Sequence, residues 1–137
     1  MNDNSKILKS LADDIIKRLK DKDIVILRYD AMSTSSIYLK LDYGVANSIR
    51  ISDHVGKKHL NYRYNISLDK STQFTCGDKT RFYYHQKDID AMIERILYDK
   101  NAKIAKYGLH NYQKYMRENK QEHAHDKNGF WSSAYLV

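Results

Sequence analysis

Ser52, Asp53 and His54 are the three residue types of a hydrolytic triad, in which the histidine accepts the serine proton and the carboxylate orients the histidine. The three residues are consecutive, and neighbouring side chains of an extended segment point to opposite faces, so they do not line up for proton transfer. Two other interpretations are favoured over catalysis. Ser52 or Asp53 can accept hydrogen bonds from nearby backbone N–H groups in a turn that ends a strand, or the run can contact a partner.

Histidines near the C-terminus supply a second set of reactive side chains. His110, His123, His125 and Asp126 are of the types that bind transition metals. They lie in a hydrophilic stretch in which we expect nothing to hold the ligands in place. Cys76 is the single cysteine, with no Cys or His nearby at metal-ligand spacing. The sequence therefore predicts no metal and no cofactor, and it favours a solvated polar tail.

Other catalytic patterns are also weak in this sequence. A two-metal nuclease needs clustered carboxylates close to a lysine on a strand, because two cations must be held against the phosphate. Lys40 and Asp42 are a poor match, since no second acidic residue is adjacent. The sequence contains no phosphate-binding glycine loop and no nucleophile elbow. We therefore expect a protein that is not an enzyme.

Basic side chains interleaved with tyrosines form the strongest chemical pattern. The formal net charge is +7, of which residues 50–87 carry +5 and residues 98–137 carry +3. Lysine and arginine neutralise phosphates, and tyrosine rings stack on bases or on arginine. The candidate partner- or nucleic-acid-binding residues are Arg50, Asp53, His54, Lys57, Lys58, Arg63, Arg81, Lys103, Lys106, Tyr112, Lys114, Tyr115 and Arg117. A solvated basic face, a surface for an acidic protein, and a frayed charged helix in the tail are the alternatives.

Apolar residues at three- and four-residue spacing predict the helices that must position these side chains. One helix covers about residues 5–20, and a second begins near Asp88 and is interrupted at Gly108. Residues 109–127 can continue as a polar helix. We expect a single domain over residues 1–108, followed by a basic, aromatic, helical tail over residues 109–137.

Alternating and β-branched segments between the helices predict strands near residues 24–27, 37–42, 49–51, 62–68 and 81–85. The predicted fold is α+β, with an N-terminal helix, an antiparallel sheet of four to five strands and a C-terminal helix. Alternation places Tyr62 and Tyr64 on the core face with Ile66. It predicts a polar, basic opposite face that carries Tyr38, Lys40, Ser48, Arg50, Arg63 and Asn65.

Part of the chain resembles small phage proteins. The similarity lies in the run from Ser35 to Tyr38, the strand Ile49-Arg50-Ile51-Ser52-Asp53-His54, the later Tyr64-Asn65-Ile66 and a helix that opens Asp88-Ile89-Asp90. Over about residues 24–104 the sequence is most similar to phage-encoded anti-CRISPR proteins that inhibit type II-A Cas9. One departure is the N-terminus, which here is an amphipathic helix and there is a long arginine-rich arm.

The resemblance implies a protein that blocks a host nuclease by occupying its guide or target-DNA surfaces. The implied partner is a Cas effector ribonucleoprotein, Cas9 with its guide RNA, in the cytoplasm of an infected bacterium. Arg50, Asp53 and His54 are the site residues that the resemblance suggests. We expect an inhibitor of a CRISPR effector that acts by direct binding. The alternative is a basic nucleic-acid-binding protein that contacts phosphates through its sheet face and tail, and no segment predicts a membrane span.

Overall fold

The computed structural model describes residues 3–31, 36–53, 62–70, 75–76 and 80–137. Its helices are α1 (Asp3–Lys20), α2 (Ile89–Tyr107) and α3 (Leu109–His125). The strands, in chain order β1 to β7, are Ile26–Asp30, Ser36–Leu41, Ser48–Ser52, Tyr64–Ser67, Thr75–Cys76, Phe82–His85 and Tyr135–Leu136. Short 3-10 turns cover Asp42–Gly44, Gln86–Asp88 and Phe130–Ser133. The predicted α+β class is confirmed.

The strands form one mixed sheet in the order β5-β6-β4-β3-β2-β1-β7. The pairs β1–β2 and β2–β3 are antiparallel, as expected for hairpins, but β4 runs parallel to both β3 and β6. Within the described residues the sheet therefore has seven strands rather than four or five, and it is not wholly antiparallel. Alternation marks a strand without giving its direction, and the long connection between β3 and β4 lets the chain return to the same end of the sheet.

One face of the sheet is the hydrophobic core, and α1 and α2 cover it. The helices contribute Leu8, Ala12, Ile15 and Leu19 from α1 and Met92, Ile93 and Ile96 from α2. Their spacing follows the helical period, so each helix turns a single apolar stripe toward the sheet. The strands contribute the other side of this core, with the buried side chains Ile37, Leu39, Leu41, Ile49, Ile51, Tyr64, Ile66, Phe82 and Tyr84.

The opposite face carries aromatic rings and buried polar groups. Tyr38 and Tyr62 lie with ring centres 5.1 Å apart, and Phe130 packs edge-on against Tyr38. Tyr62 therefore belongs to this face rather than to the core, because β4 begins only at Tyr64. Arg63 also differs from expectation, since its side chain reaches Asp99 on α2. Among the described helices, none has both the length and the apolar character needed to span a bilayer.

A buried carboxylate ties the helices to the sheet. Asp42 is 0% exposed, and its Oδ1 accepts a hydrogen bond from the Val25 backbone N–H at 2.8 Å. Its Oδ2 accepts the Tyr112 hydroxyl of α3 at 2.5 Å and lies 2.9 Å from Lys100 Nζ of α2. Burial, and then the neighbouring Asp42 carboxylate, raise the pKa of Tyr112, so this hydroxyl is a donor at neutral pH. One side chain thus fixes the start of β1 and both C-terminal helices.

We predict that Asp42→Asn lowers the free energy of unfolding by about 3 to 5 kcal/mol, because the Lys100 ammonium loses the carboxylate that compensates it. Tyr112→Phe removes one hydrogen bond to a charged group and should cost about 1.5 to 3 kcal/mol. Urea denaturation followed by circular dichroism measures both. Asp21→Asn, at an exposed residue in the turn after α1, is the matched control. Equal free energies of unfolding for Asp42→Asn and this control would contradict the role of Asp42 in joining the helices to the sheet.

Candidate functional site

Two of the residues predicted to contact a partner are buried. Arg50 is 4% exposed and lies in register between Tyr38 of β2 and Asn65 of β4. Its guanidinium donates to Ser52 Oγ at 3.2 Å, and Ser36 Oγ is 3.1 Å from the same oxygen. Tyr112 is 2% exposed and is held by Asp42. The prediction that Arg50 and Tyr112 contact a partner is therefore corrected. Both side chains are buried and stabilise the fold, so neither faces solvent.

The middle basic segment is only partly described. His54, Lys57 and Lys58 lie outside the described residues, and Asp53 and Arg81 are half-buried at the ends of strands. Ser52 is 0% exposed, so its hydroxyl is not presented to a substrate as a triad serine would be. Within the described residues, no group of three His, Cys, Asp or Glu side chains could hold a metal ion.

The basic residues of the two C-terminal helices are accessible. Lys106, Lys114 and Arg117 are exposed, and Lys103 is half-buried. Lys114 Nζ lies 3.9 Å from Glu118 Oε1, a surface pair that holds the lysine only weakly. Lys106 and Arg117 have no acidic partner among the described residues. The structure thus brings Arg63, Lys103 and Lys106 together and leaves Lys114 and Arg117 further along α3.

These residues line an open cleft beside the C-terminal half of α2, which we call the cationic cleft. Its walls are Asn47, Arg63, Asp99, Lys103, Lys106 and Tyr107. Lys103, Lys106 and Tyr107 are three and four residues apart, so they share one side of the helix. Arg63 joins them from the residue before β4, and Asn47 joins them from the turn before β3. The cleft therefore forms only when α2 lies correctly on the sheet.

Asp99 is the acidic group of the cleft, and two arginines surround it. Arg63 Nε lies 3.0 Å from Asp99 Oδ2, and Arg95 Nε lies 3.1 Å from Asp99 Oδ1. Tyr64 Oη also donates to Oδ2, at 2.5 Å. Burial opposes ionisation of Asp99, but the hydrogen bonds from Arg63 and Tyr64 outweigh it and lower the pKa of this carboxyl. Two guanidinium groups against one carboxylate leave an excess positive charge.

Stacking on aromatic rings fixes the two arginines as well. The Arg63 guanidinium lies 5.0 Å from the centre of the Phe82 ring, and the Arg95 guanidinium lies 4.7 Å from it. Arg63 also donates to the Thr80 carbonyl at 3.0 Å. A guanidinium that is hydrogen-bonded and stacked has lost its side-chain freedom before any ligand arrives, so it binds an anion with little further ordering.

Lys103 is the most constrained cation of the cleft. Its ammonium donates to the Val45 carbonyl at 2.5 Å, and its two other N–H groups have no partner among the described residues. Burial, and then the nearby Arg63 charge, lower the pKa of Lys103, with partial compensation from Asp99. An oxyanion in the cleft would supply the negative charge that Lys103 lacks and would raise its pKa again. The arrangement therefore favours an anionic ligand.

An exposed aromatic pair adjoins the cleft. Tyr107 and Tyr115 are perpendicular, with ring centres 6.1 Å apart, and are 43% and 40% exposed. Gly108 makes this pairing possible, because it takes φ +85 between α2 and α3 and a side chain there would be strained. The Lys106 ammonium lies 5.2 Å from the centre of the Tyr107 ring. Charge and aromatic surface are thus contiguous at the junction of the two helices.

No family model, curated protein or solved structure is significantly similar to this chain. The chemistry of the cationic cleft therefore has to be inferred from its own residues. The amino-acid sequence identifies Arg63, Lys103 and Lys106 as candidates but misses Arg95 and Asp99. The spacing of Arg95 and Asp99, four residues apart on one helix, is the signal that could have identified them as an ion pair.

Asp99 also generates a stability prediction. Its folded pKa is lowered, so its contribution to stability is present above the unfolded value of 3.8 and is lost as the pH falls through the folded pKa. Asp99→Asn should cost about 2 kcal/mol at neutral pH, since Arg63 and Arg95 are partly exposed and solvent screens them. The variant should lose less stability than the wild type on acidification. Urea midpoints at several pH values measure this, and parallel curves for the two proteins would refute it.

Proposed function

We propose that this protein is a binding protein that docks the cationic cleft on the phosphate backbone of a nucleic acid. The observation that carries the proposal is the convergence of Arg63, Lys103 and Lys106 on one cleft whose acidic group, Asp99, already has two arginine partners. Ammonium and guanidinium groups that converge in this way match the oxygens of a phosphate. The half-buried Lys103 contributes a charge that is screened less than a fully exposed one.

An acidic protein surface is the main competing ligand, because carboxylates also pair with lysine and arginine. Two features favour nucleic acid. The aromatic pair Tyr107 and Tyr115 is exposed next to the cations, and bases offer flat surfaces for such rings whereas aspartate and glutamate do not. The cations Arg117 and Lys120 also continue along α3 without an acidic partner among the described residues, so a polyanion longer than one group has further contacts to make.

The proposal predicts salt-dependent binding of nucleic acid. Fluorescence anisotropy with labelled DNA and RNA oligonucleotides, between about 50 and 200 mM salt, should give a linear fall of log affinity with log salt concentration. Lys106→Gln should reduce the slope by about 0.7 to 0.9, the effect of one lost phosphate contact, and Lys103→Gln should do the same. Lys9→Gln, an exposed lysine of α1, is the matched control and should leave the slope unchanged.

Two results would refute the phosphate-binding proposal. One is the absence of measurable binding by the wild type at low salt. The other is an equal effect of Lys106→Gln and Lys9→Gln, which would mean that net charge and not the cationic cleft sets the affinity. Because Lys103 is half-buried, its variant is compared only after a urea midpoint shows that it is folded.

A narrower proposal identifies the nucleic acid as part of a host CRISPR effector, Cas9 with its guide RNA, which the protein inhibits by direct binding. Its support is the resemblance over residues 24–104. Most of the residues that carry that resemblance, such as Ile49 and Ile66, are buried in the sheet, so they maintain the fold that presents the cleft. The contacts with an effector would then come from Arg63, Lys103 and Lys106 rather than from Arg50.

A cleavage assay with type II-A Cas9 proteins, their guides and a target DNA tests this narrower proposal. We expect the wild type to inhibit cleavage and the double variant Lys103→Gln, Lys106→Gln to inhibit at least tenfold less, which corresponds to a loss of about 1.4 kcal/mol. Lys9→Gln should inhibit like the wild type. Binding of free oligonucleotides without inhibition of any effector would leave the nucleic-acid-binding function and reject the inhibitor.

A further inference from the structure

Nucleic acids offer two kinds of surface, and the cationic cleft together with its aromatic pair fits one of them better. In a duplex, the faces of the bases are stacked on each other and only the phosphates and the base edges are accessible. In a single strand, an unpaired base exposes its whole π face. A protein that reads phosphates alone needs cations, whereas a protein that reads single strands combines cations with exposed aromatic rings.

We infer that this site selects single-stranded nucleic acid, with phosphates in the cationic cleft and an unpaired base stacked on Tyr107 or Tyr115. The inference rests on the proposed function, since it names the form of nucleic acid that the same site takes. Tyr107 is the central residue of this inference, because it belongs both to the cationic cleft and to the aromatic pair. It lines the cleft with Lys103 and Lys106, and its ring pairs with Tyr115.

The exposure of the two rings supports this role. Tyr64 and Tyr84 are 0% and 1% exposed and fill the core, whereas Tyr98 and Tyr135 are 65% and 51% exposed but do not line the cleft. Tyr107 and Tyr115 each keep about two fifths of their surface in solvent. Leu109, between them in sequence, is 54% exposed, so the junction of α2 and α3 is an apolar surface set among cations. In a nucleic acid, the uncharged base matches the apolar surface and the negative backbone matches the cations.

The perpendicular arrangement also limits how a base can bind. In a T-shaped pair, the edge of one ring points at the face of the other, so each ring is held at a fixed angle by its neighbour. The Lys106 ammonium lies over one face of the Tyr107 ring, so a base stacks on the other face or on Tyr115 with a cation close by. The rings are thus ordered before binding, and a base that stacks on them loses little additional freedom.

Three labelled probes test the inference: oligothymidylate and an abasic oligonucleotide of equal length and phosphate number, and a blunt duplex of the same length, which carries twice as many phosphates. We expect oligothymidylate to bind at least tenfold more tightly than the abasic probe at the same salt concentration, because stacking is worth about 1 to 3 kcal/mol per base. The double variant Tyr107→Leu, Tyr115→Leu should remove this difference, because its affinity for oligothymidylate should fall to about its affinity for the abasic probe. Tyr107→Phe with Tyr115→Phe keeps the rings and should bind like the wild type.

Tyr135→Leu is the matched control, since Tyr135 is 51% exposed on β7 at an edge of the sheet, away from the cleft. It should change none of the three affinities. Equal affinity of the wild type for oligothymidylate and the abasic probe would overturn the inference, as would an equal loss on all three probes in the leucine double variant. Effective competition by polyglutamate would overturn it too, because that polymer has charge but no bases.

The outcomes separate this inference from the proposed function. If all three probes bind alike, with salt slopes reduced by Lys106→Gln, then phosphate binding stands and single-strand selection fails. If none of the probes binds at low salt, the proposed function itself fails. Urea midpoints of the tyrosine variants confirm that they are folded before their affinities are compared.

Discussion

The carboxylate of Asp42 is the interaction on which the arrangement of helices and sheet depends. It has no contact with solvent, and its partners come from the residue before β1, from α2 and from α3. Removal of a charged partner from such a group leaves a buried, uncompensated charge, which is among the most unfavourable changes a fold can suffer. Lys100 is one helical turn before Lys103, so the ion pair that anchors α2 also sets the position of the cationic cleft.

The backbone around Asp42 shows how firmly this position is fixed. Asp42 and Tyr43 have φ values of 49 and 55, in the left-handed region that residues with a side chain rarely adopt. Asn119 of α3 donates to the Tyr43 carbonyl at 2.9 Å, and Lys103 of α2 donates to the Val45 carbonyl. The tight turn after β2 therefore serves as the docking point for both C-terminal helices. We view the cleft as a consequence of that docking, since its lysines extend from a helix that the turn holds in place.

Local patterns in the sequence predict the elements well and their long-range partners poorly. The period of Ile15 and Leu19 predicts α1, and the alternation of Ile37 and Leu39 predicts β2, because both patterns follow from burial of one face. The sequence pattern groups Tyr112 with the basic residues of the tail, because its partner Asp42 lies 70 residues earlier and no local pattern connects the two. Alternation correctly predicts that Arg50 lies on the face away from the helices, but it does not reveal that this face is itself covered. Among the site residues, the charge pattern of the sequence predicts the lysines. The role of Asp99 becomes visible only in the folded structure, which brings Arg63 next to it.

The pairing of β7 with β1 has a consequence for the order in which the chain can fold. Leu136 is opposite Leu27, so almost the whole described chain lies between two residues that are neighbours in the sheet. Contacts between such distant residues form slowly, because the entropy of closing the long loop must be overcome first. During synthesis, α1 and β1 leave the ribosome long before residue 136 is added. The edge of β1 that pairs with β7 therefore stays unpaired until then. A folding intermediate that lacks only β7 would expose the backbone of β1 to pairing with other chains, and in the folded protein the pairing with Tyr135 and Leu136 covers this edge.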